Sequence, residues 1–148
     1  MIKSIAILLL FLNALQAQEY KAVFDCSSDN AHYIMTRINL VEKTISMIEK
    51  RGEVATFAIT LHGGCVPIIS KEFKEITYEE DLPYIQKAQE SITRLSKEKN
   101  VKIVACTMSL NANGIDQKNV LPFVHISENS FIDTISYQNH GYAIMTFQ

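Results

Sequence analysis

The chain has 148 residues, 47% of them hydrophobic, and its 14 basic and 16 acidic residues give a formal net charge of −2 at pH 7. This near-neutral balance, without a basic run or interleaved basic and aromatic residues, argues against a nucleic-acid partner. No second long apolar stretch follows the N-terminal one, so we expect no stable membrane insertion of the mature chain.

The N-terminus predicts a secretion signal. Lys3 supplies a positive start, residues 5–12 form a short apolar core, and Ala17 offers a small residue for cleavage. The apolar core is shorter than the roughly 20 residues that span a bilayer. We therefore expect residues 1–17 to be a signal peptide that directs export to the periplasm, and residues 18–148 to form one domain. An N-terminal membrane anchor or a buried first strand is the alternative.

Strand-like and helix-like patterns alternate along the rest of the chain. Short apolar, β-forming runs predict five strands, over residues 20–26, 53–61, 101–106, 123–126 and 142–147. Apolar residues spaced by three and four predict helices between residues 30 and 51 and over residues 79–98 and 108–113. Ser127 can cap a last helix, which Gly141 would stop, and residues 65–78 have no decisive pattern.

This alternation determines the expected fold class. Strands that alternate with helices pair in parallel through right-handed crossovers. We therefore predict an α/β fold, a three-layer α/β/α sandwich with a five-stranded, mainly parallel sheet.

The residues that could carry chemistry follow the ends of the first three predicted strands. They are Cys26, His62, Gly63, Gly64, Cys65 and Cys106. Ligands bind beyond the carboxyl ends of the strands in such sheets, so the topology should gather these residues at one edge.

Cys106 has the best position of the three cysteines, because a strand leads directly into a helix there. A helix N-terminus carries partial positive charge and free N–H groups, both of which stabilise a thiolate. The thiolate is the form that attacks sulfur and carries a persulfide. The alternative is that Cys106 is a small buried apolar residue, as free cysteines commonly are.

The other candidates allow both functional and plain structural interpretations. An odd number of cysteines leaves at least one thiol free in an oxidising compartment, and a reversible disulfide between Cys65 and Cys106 is one pairing that the shared edge allows. Cys26 can simply pack in the core. His62 can pair with a thiol or bind a metal, or it can only make a hydrogen bond. The glycines before Cys65 allow close backbone approach or merely a turn.

A zinc site made by the three cysteines and His62 is a further possibility. Their spacing matches no compact zinc signature, so we expect neither a metal nor a cofactor.

Three segments resemble the DsrE/DsrF-like family in order and spacing. Residues 101–106 with Leu110 and Gly114 resemble its central cysteine segment, residues 61–63 resemble its His-Gly step, and residues 135–144 resemble its last helix and strand. The resemblance implies the sandwich fold described above, and usually homo-oligomers or hetero-oligomers. It also implies that Cys106 corresponds to the cysteine that bears sulfur in members that pass persulfide sulfur along relays.

The resemblance leads to a functional hypothesis with one alternative. We expect a periplasmic persulfide carrier that uses Cys106, receives sulfur from a donor protein or a small sulfur compound, and forms homo-oligomers. A sulfurtransferase-like activity would be its enzymatic form, and whether the chain is an enzyme is left open. The alternative is a non-catalytic oligomeric module that binds a small ligand or a metal, with Cys106 structural.

Overall fold

The computed structural model describes residues 17–147. Residues 1–16 of the predicted signal peptide lie outside the described residues. The described strands are β1 Glu19–Cys26, β2 Val54–Leu61, β3 Val101–Cys106, β4 His125–Ser127 and β5 Ala143–Phe147. The described α-helices are α1 Ala31–Glu49, α2 Phe73–Ile76, α3 Leu82–Leu95, α4 Thr107–Ala112 and α5 Ser130–Asn139. Three 3-10 helices, Gly63–Ile69, Glu79–Asp81 and Gln117–Asn119, connect them.

All five strands are parallel in one sheet with the order β4-β3-β2-β1-β5. This confirms the predicted α/β fold class. The steps from β1 through β4 run in one direction across the sheet, and the step from β4 to β5 runs back to the opposite edge. Because such crossovers are right-handed, the helix of the returning step must cover the other face of the sheet. That helix is α5, so the two faces carry different numbers of helices.

The main core lies on the face covered by α1 and α3. The stripe of Ile34, Ile38, Val41, Ile45 and Ile48 on α1 is buried, as the spacing predicts. Asn30 starts this helix by accepting a hydrogen bond from the Tyr33 N–H at 2.8 Å. The three central strands supply alternate residues to the same core, and Phe147 of β5 adds one more.

The opposite face of the sheet is covered by α5 alone among the described helices. Its sheet residues, including Val23, Ala58, Thr60 and Val104, are buried. A helix with side chains is about 10–12 Å wide, whereas five strands spaced by about 4.8 Å span roughly 19 Å. One helix therefore leaves part of this face open as a groove beside α5.

Two local predictions need correction. The N-cap of α5 is Asn129, which accepts a hydrogen bond from the Phe131 N–H, whereas Ser127 lies in β4. The Ser127 hydroxyl donates to the Asp133 carboxylate, and so it is not available as a cap. The segment without a clear pattern forms the 3-10 helix Gly63–Ile69 and the short α2, because Pro67 cannot donate a backbone hydrogen bond to a longer helix.

The cysteines pair differently from the suggested Cys65–Cys106 bond, which is wrong. Cys26 and Cys65 form a disulfide with a Cα–Cα distance of 5.9 Å, and Cys106 is the free cysteine. Both bonded residues are fully buried in the core under α1 and α3. Cys106 belongs to the other face of the sheet, because side chains alternate between faces along a strand. Cys65 and Cys106 therefore lie at the same edge of the sheet but on opposite faces.

Removal of this disulfide should destabilise the protein considerably. The bond joins residues separated by 39 positions, and loop-closure entropy gives it about 4 kcal/mol of stabilisation. We expect a reductant to lower the urea unfolding midpoint of the wild type and to leave that of a Cys26→Ala/Cys65→Ala variant unchanged. A thiol titration of the unreduced, denatured protein that finds all three cysteines free would contradict the pairing.

Candidate functional site

The site lies at the carboxyl edge of the three central strands. The register pairs Cys26 with Leu61 and Leu61 with Ala105, so the three strands end almost level. The His62 N–H donates to the Cys26 carbonyl at 3.0 Å, which continues the ladder one residue beyond β2. His62 therefore lies beside Cys106 at the edge of the sheet, across a strand spacing of about 4.8 Å.

Asp25, Thr60 and His62 form a hydrogen-bonded cluster on the face covered by α5. The Thr60 hydroxyl donates to Asp25 Oδ1 at 2.6 Å, and His62 Nε2 lies 3.1 Å from the same oxygen. The side chains of His62 and Asp25 are 17% and 16% exposed, so water screens this pair only partly. The register places Cys106 on the same face.

The charges of this cluster reinforce one another. Burial raises the pKa of Asp25, but the hydrogen bonds from His62 and Thr60 outweigh burial and bring the pKa below its usual value. The hydrogen bond to Asp25 raises the pKa of His62 above its usual value, against the opposing effect of burial. The negative charges of Asp25 and of an ionised Cys106 raise the pKa of His62 further. The arrangement therefore favours a carboxylate beside an imidazolium.

Cys106 is the N-cap residue of α4, and only 4% of its surface is exposed. In the structure the thiol donates to the Glu128 carbonyl, with 3.8 Å between Sγ and the oxygen. Burial raises the pKa of this thiol, but the nearby backbone N–H groups of Ser109, Ser130 and Met108, which favour the thiolate, outweigh burial. The Ser109 side chain also lowers the pKa, so the net pKa lies below its usual value. Ser130 is the first residue of α5, so the N-termini of two helices, α4 and α5, meet at this sulfur.

Hydrogen bonds fix α4 against the segments beside it. The Gly63 N–H donates to Ser109 Oγ at 3.1 Å, and the Asn113 side chain donates to the Gly63 carbonyl at 3.2 Å. On the other side, Thr107 Oγ1 donates to the Ser127 carbonyl at 2.7 Å. The positions of His62 and Cys106 are therefore coupled through backbone contacts.

The two glycines act as a turn. Gly63 has a φ of +52°, which favours glycine, and a Cβ on Gly64 would lie 2.7 Å from both the Asp29 Cα and the Ser28 carbonyl oxygen. This close packing brings Cys65 beneath Cys26. Of the predicted site residues, the structure thus gathers His62 and Cys106 on one face, and it places Cys26 and Cys65 in the core on the other.

The sequence patterns did not indicate four residues of this site, namely Asp25, Thr60, Ser109 and Ser130. Asp25 carries the clearest signal, because it is an acidic residue inside an apolar strand and directly before its end. Ser109 and Ser130 act mainly through backbone N–H groups, which any residue type except proline supplies. Their role depends on helix placement rather than on side-chain identity.

The suggested zinc site finds no support in residues 17–147, where no group of three or more His, Cys, Asp or Glu side chains could hold a metal ion. The disulfide takes two of the four proposed ligands. Within the same residues, no helix is both long enough and apolar enough to cross a bilayer.

A groove of about 780 Å³ runs beside α5 over β3 and β4. Its polar and charged lining residues include Lys21, Lys102, His125, Asp133, Tyr137 and His140. Val104 also lines the groove, two residues before Cys106 on the same face of the sheet. The groove therefore approaches the free cysteine from the open part of this face.

The fold and site define an α/β/α sandwich with one free cysteine where a central strand meets a helix. The model of the DsrE/DsrF-like family matches residues 21–147, and the chain belongs to this family, as its resemblance predicted.

Two relatives illustrate how far this similarity extends. An uncharacterized protein of Aquifex aeolicus (strain VF5) is 32% identical over 131 residues, covering 88% of this chain and 57% of the relative, so this chain spans little more than half of that relative's length. MTH1491 from Methanobacterium thermoautotrophicum, a protein of unknown function, superposes with a TM-score of 0.66 at 17% identity. That likeness covers 86% of this chain and 98% of MTH1491, and it supports the fold alone.

Proposed function

We propose that the protein is a sulfur carrier that holds sulfane sulfur as a persulfide on Cys106. The observation that carries the proposal is the placement of the free Cys106 sulfur beneath the N-termini of α4 and α5, where backbone N–H groups favour the thiolate. The other two cysteines are bonded to each other and have no thiol to offer. Family membership adds the link to sulfur relay.

The chemistry requires no external oxidant. The Cys106 thiolate attacks the outer sulfur of a hydropersulfide R–S–SH, the S–S bond of the donor breaks, and the thiolate R–S⁻ leaves and takes up a proton. The products are a Cys106 persulfide and the thiol R–SH. In the net reaction the sulfane sulfur moves from the donor to Cys106, and the donor is left as a thiol. The backbone N–H groups that stabilise the thiolate can also stabilise an ionised persulfide.

The low exposure of Cys106 narrows the class of donor. With 4% of the residue exposed, only a slender group can reach Sγ without local opening. A small hydropersulfide or polysulfide meets this requirement, as does a persulfidated cysteine on a protruding segment of a donor protein. The low exposure of Sγ likewise prevents a bulky sulfur acceptor from reaching the persulfide without local opening.

We also propose that the protein works in the periplasm. The N-terminal pattern predicts export, and a buried disulfide is typical of an oxidising compartment. The disulfide occupies the two cysteines that could otherwise compete with Cys106 for sulfur. Location and function are thus compatible.

Apolar residues on α5 support self-association. Phe131, Ile132 and Ile135 are 71%, 61% and 57% exposed on this helix, and Ile144, which the register places on the same face of the edge strand β5, is 38% exposed. Clustered apolar exposure of this kind marks interaction surfaces in soluble proteins. We propose that a second copy of the chain covers this surface in a homo-oligomer.

The groove beside α5 favours a second candidate function. Its volume lies within the usual range for small-ligand sites, and it combines apolar walls with two lysines and two histidines. In this alternative the protein is a binding module for a small ligand, and Cys106 is a structural residue.

Sulfur uptake by Cys106 distinguishes the two candidates. Folded protein incubated with sodium polysulfide should gain about 32 Da per added sulfur in intact-mass spectra, and the Cys106→Ser variant should not. Iodoacetamide should alkylate Cys106 in the unreduced wild type near neutral pH, because its thiol pKa is lowered. A folded wild type that gains no sulfur would favour the binding module.

Export predicts a defined mature N-terminus. When the full chain is expressed in a bacterial host, N-terminal sequencing of the periplasmic fraction should read from Gln18, because the small residue Ala17 precedes the cleavage point. Full-length protein beginning at Met1 and recovered from the cytoplasm would contradict export.

The proposed oligomer depends on the exposed face of α5. The Ile135→Glu variant should shift the protein toward monomer in light scattering coupled to size-exclusion chromatography, because a charge buried at an interface is strongly unfavourable. The matched control is Met47→Glu, since Met47 is 66% exposed on α1 at the opposite face of the molecule. A monomeric wild type, or equal behaviour of both variants, would refute this interface.

A further inference from the structure

The free thiol has an ionisable neighbour that comes from a different strand. His62 and Cys106 occupy adjacent positions at the ends of β2 and β3, because the register that pairs Leu61 with Ala105 places the next residues side by side. Both belong to the face covered by α5, as shown for His62 by its bond to Asp25. The two residues therefore occupy adjacent positions on the same face of the sheet, and both are largely shielded from solvent.

The ring of His62 is held in one orientation. Asp25 Oδ1 contacts Nε2 at 3.1 Å and is itself fixed by the Thr60 hydroxyl at 2.6 Å. Because Nε2 makes the hydrogen bond to Asp25, Nδ1 is the ring nitrogen that is available to a second partner. The backbone on either side is fixed as well, because the Gly63 N–H is bound to Ser109 on α4.

We propose that His62, oriented by Asp25, is the proton-handling partner of Cys106. This inference rests on the proposed sulfur-carrier function and adds an acid–base residue to it. His62 takes the thiol proton as Cys106 ionises, and it returns that proton to the thiolate R–S⁻ that leaves when the donor S–S bond breaks. Asp25 acts through His62 and is a positioning residue.

The proton transfers balance with His62, Cys106 and the donor alone. The thiol and neutral imidazole become a thiolate and an imidazolium, and the transfer to the leaving group restores the neutral imidazole. The site thus returns to its starting charge with one sulfur added to Cys106. The negative charge of Asp25 stabilises the intermediate imidazolium.

Other ionisable groups lie on the elements around this pair, and most of them are acidic. Asp29 follows β1 and packs against Gly64, Glu128 precedes α5, and Asp133 on α5 accepts the Ser127 hydroxyl. The basic groups on this face, Lys102 on β3 and His125 on β4, lie farther along the strands, because the register pairs His125 with Val104, two residues before Cys106. His62 is thus the basic group at the level of Cys106 itself. A change in the pH dependence of Cys106 on loss of His62 is therefore assigned to the imidazole.

The test is the pH profile of Cys106 alkylation by iodoacetamide, measured on the folded full chain. In the His62→Gln variant the midpoint of the profile should rise by roughly one pH unit, because the thiolate loses an adjacent positive charge. In Asp25→Asn it should rise by less, and the pKa of His62 followed by NMR should fall. His32→Gln, which changes an exposed histidine at the start of α1, should leave the profile unchanged.

The outcomes separate this inference from the proposed function. If His62→Gln takes up sulfur with the wild-type pH profile, the role of His62 is refuted and the sulfur carrier stands. If the wild type takes up no sulfur but His62→Gln still shifts the alkylation midpoint, the coupling stands and the carrier function fails. Should His62→Gln not fold, Asp25→Asn gives the same decision: an unchanged midpoint and an unchanged His62 pKa would overturn the proposal.

Discussion

The in-register parallel pairing of β1, β2 and β3 is the constraint on which the site depends. Level strand ends bring residues from three distant segments to one edge of the sheet, and side-chain alternation then assigns each of them to a face. Asp25 and Cys26 are neighbours in sequence but face opposite sides. As a result, one edge carries a buried disulfide on one face and a free thiol beside a charged pair on the other.

The unequal covering of the two faces has a second consequence. Four crossovers join the five described strands, and only the last of them reverses direction across the sheet, so among the helices of residues 17–147 only α5 covers the face that holds Cys106. A single helix leaves a groove beside it and keeps its own outer apolar residues in solvent. The free Cys106 thiol, the groove and the exposed apolar residues of α5 therefore all lie on the same side of the molecule.

The electrostatic character of Cys106 results from several modest contributions. Burial by itself would raise the thiol pKa, as it does for inert core cysteines. Backbone N–H groups at the starts of α4 and α5 reverse that effect, and His62 lies close enough for an ionised Cys106 to raise the imidazole pKa. The Asp25–His62 pair belongs to the sheet and the N–H groups belong to the helices, so this environment exists only in the folded chain.

Local patterns in the sequence determined the five strands, the longer helices and the parallel sheet, because apolar periodicity and right-handed crossovers leave few alternatives. They did not determine the 3-10 helix Gly63–Ile69 or the short α2. They also indicated Cys106, since a strand that leads into a helix is visible in the order of residues. Only the tertiary structure decided that Cys65 pairs with Cys26, because the face on which a residue lies depends on register rather than on strand order. It alone brought Asp25 to His62 and the start of α5 to Cys106, since these contacts join segments far apart in the chain.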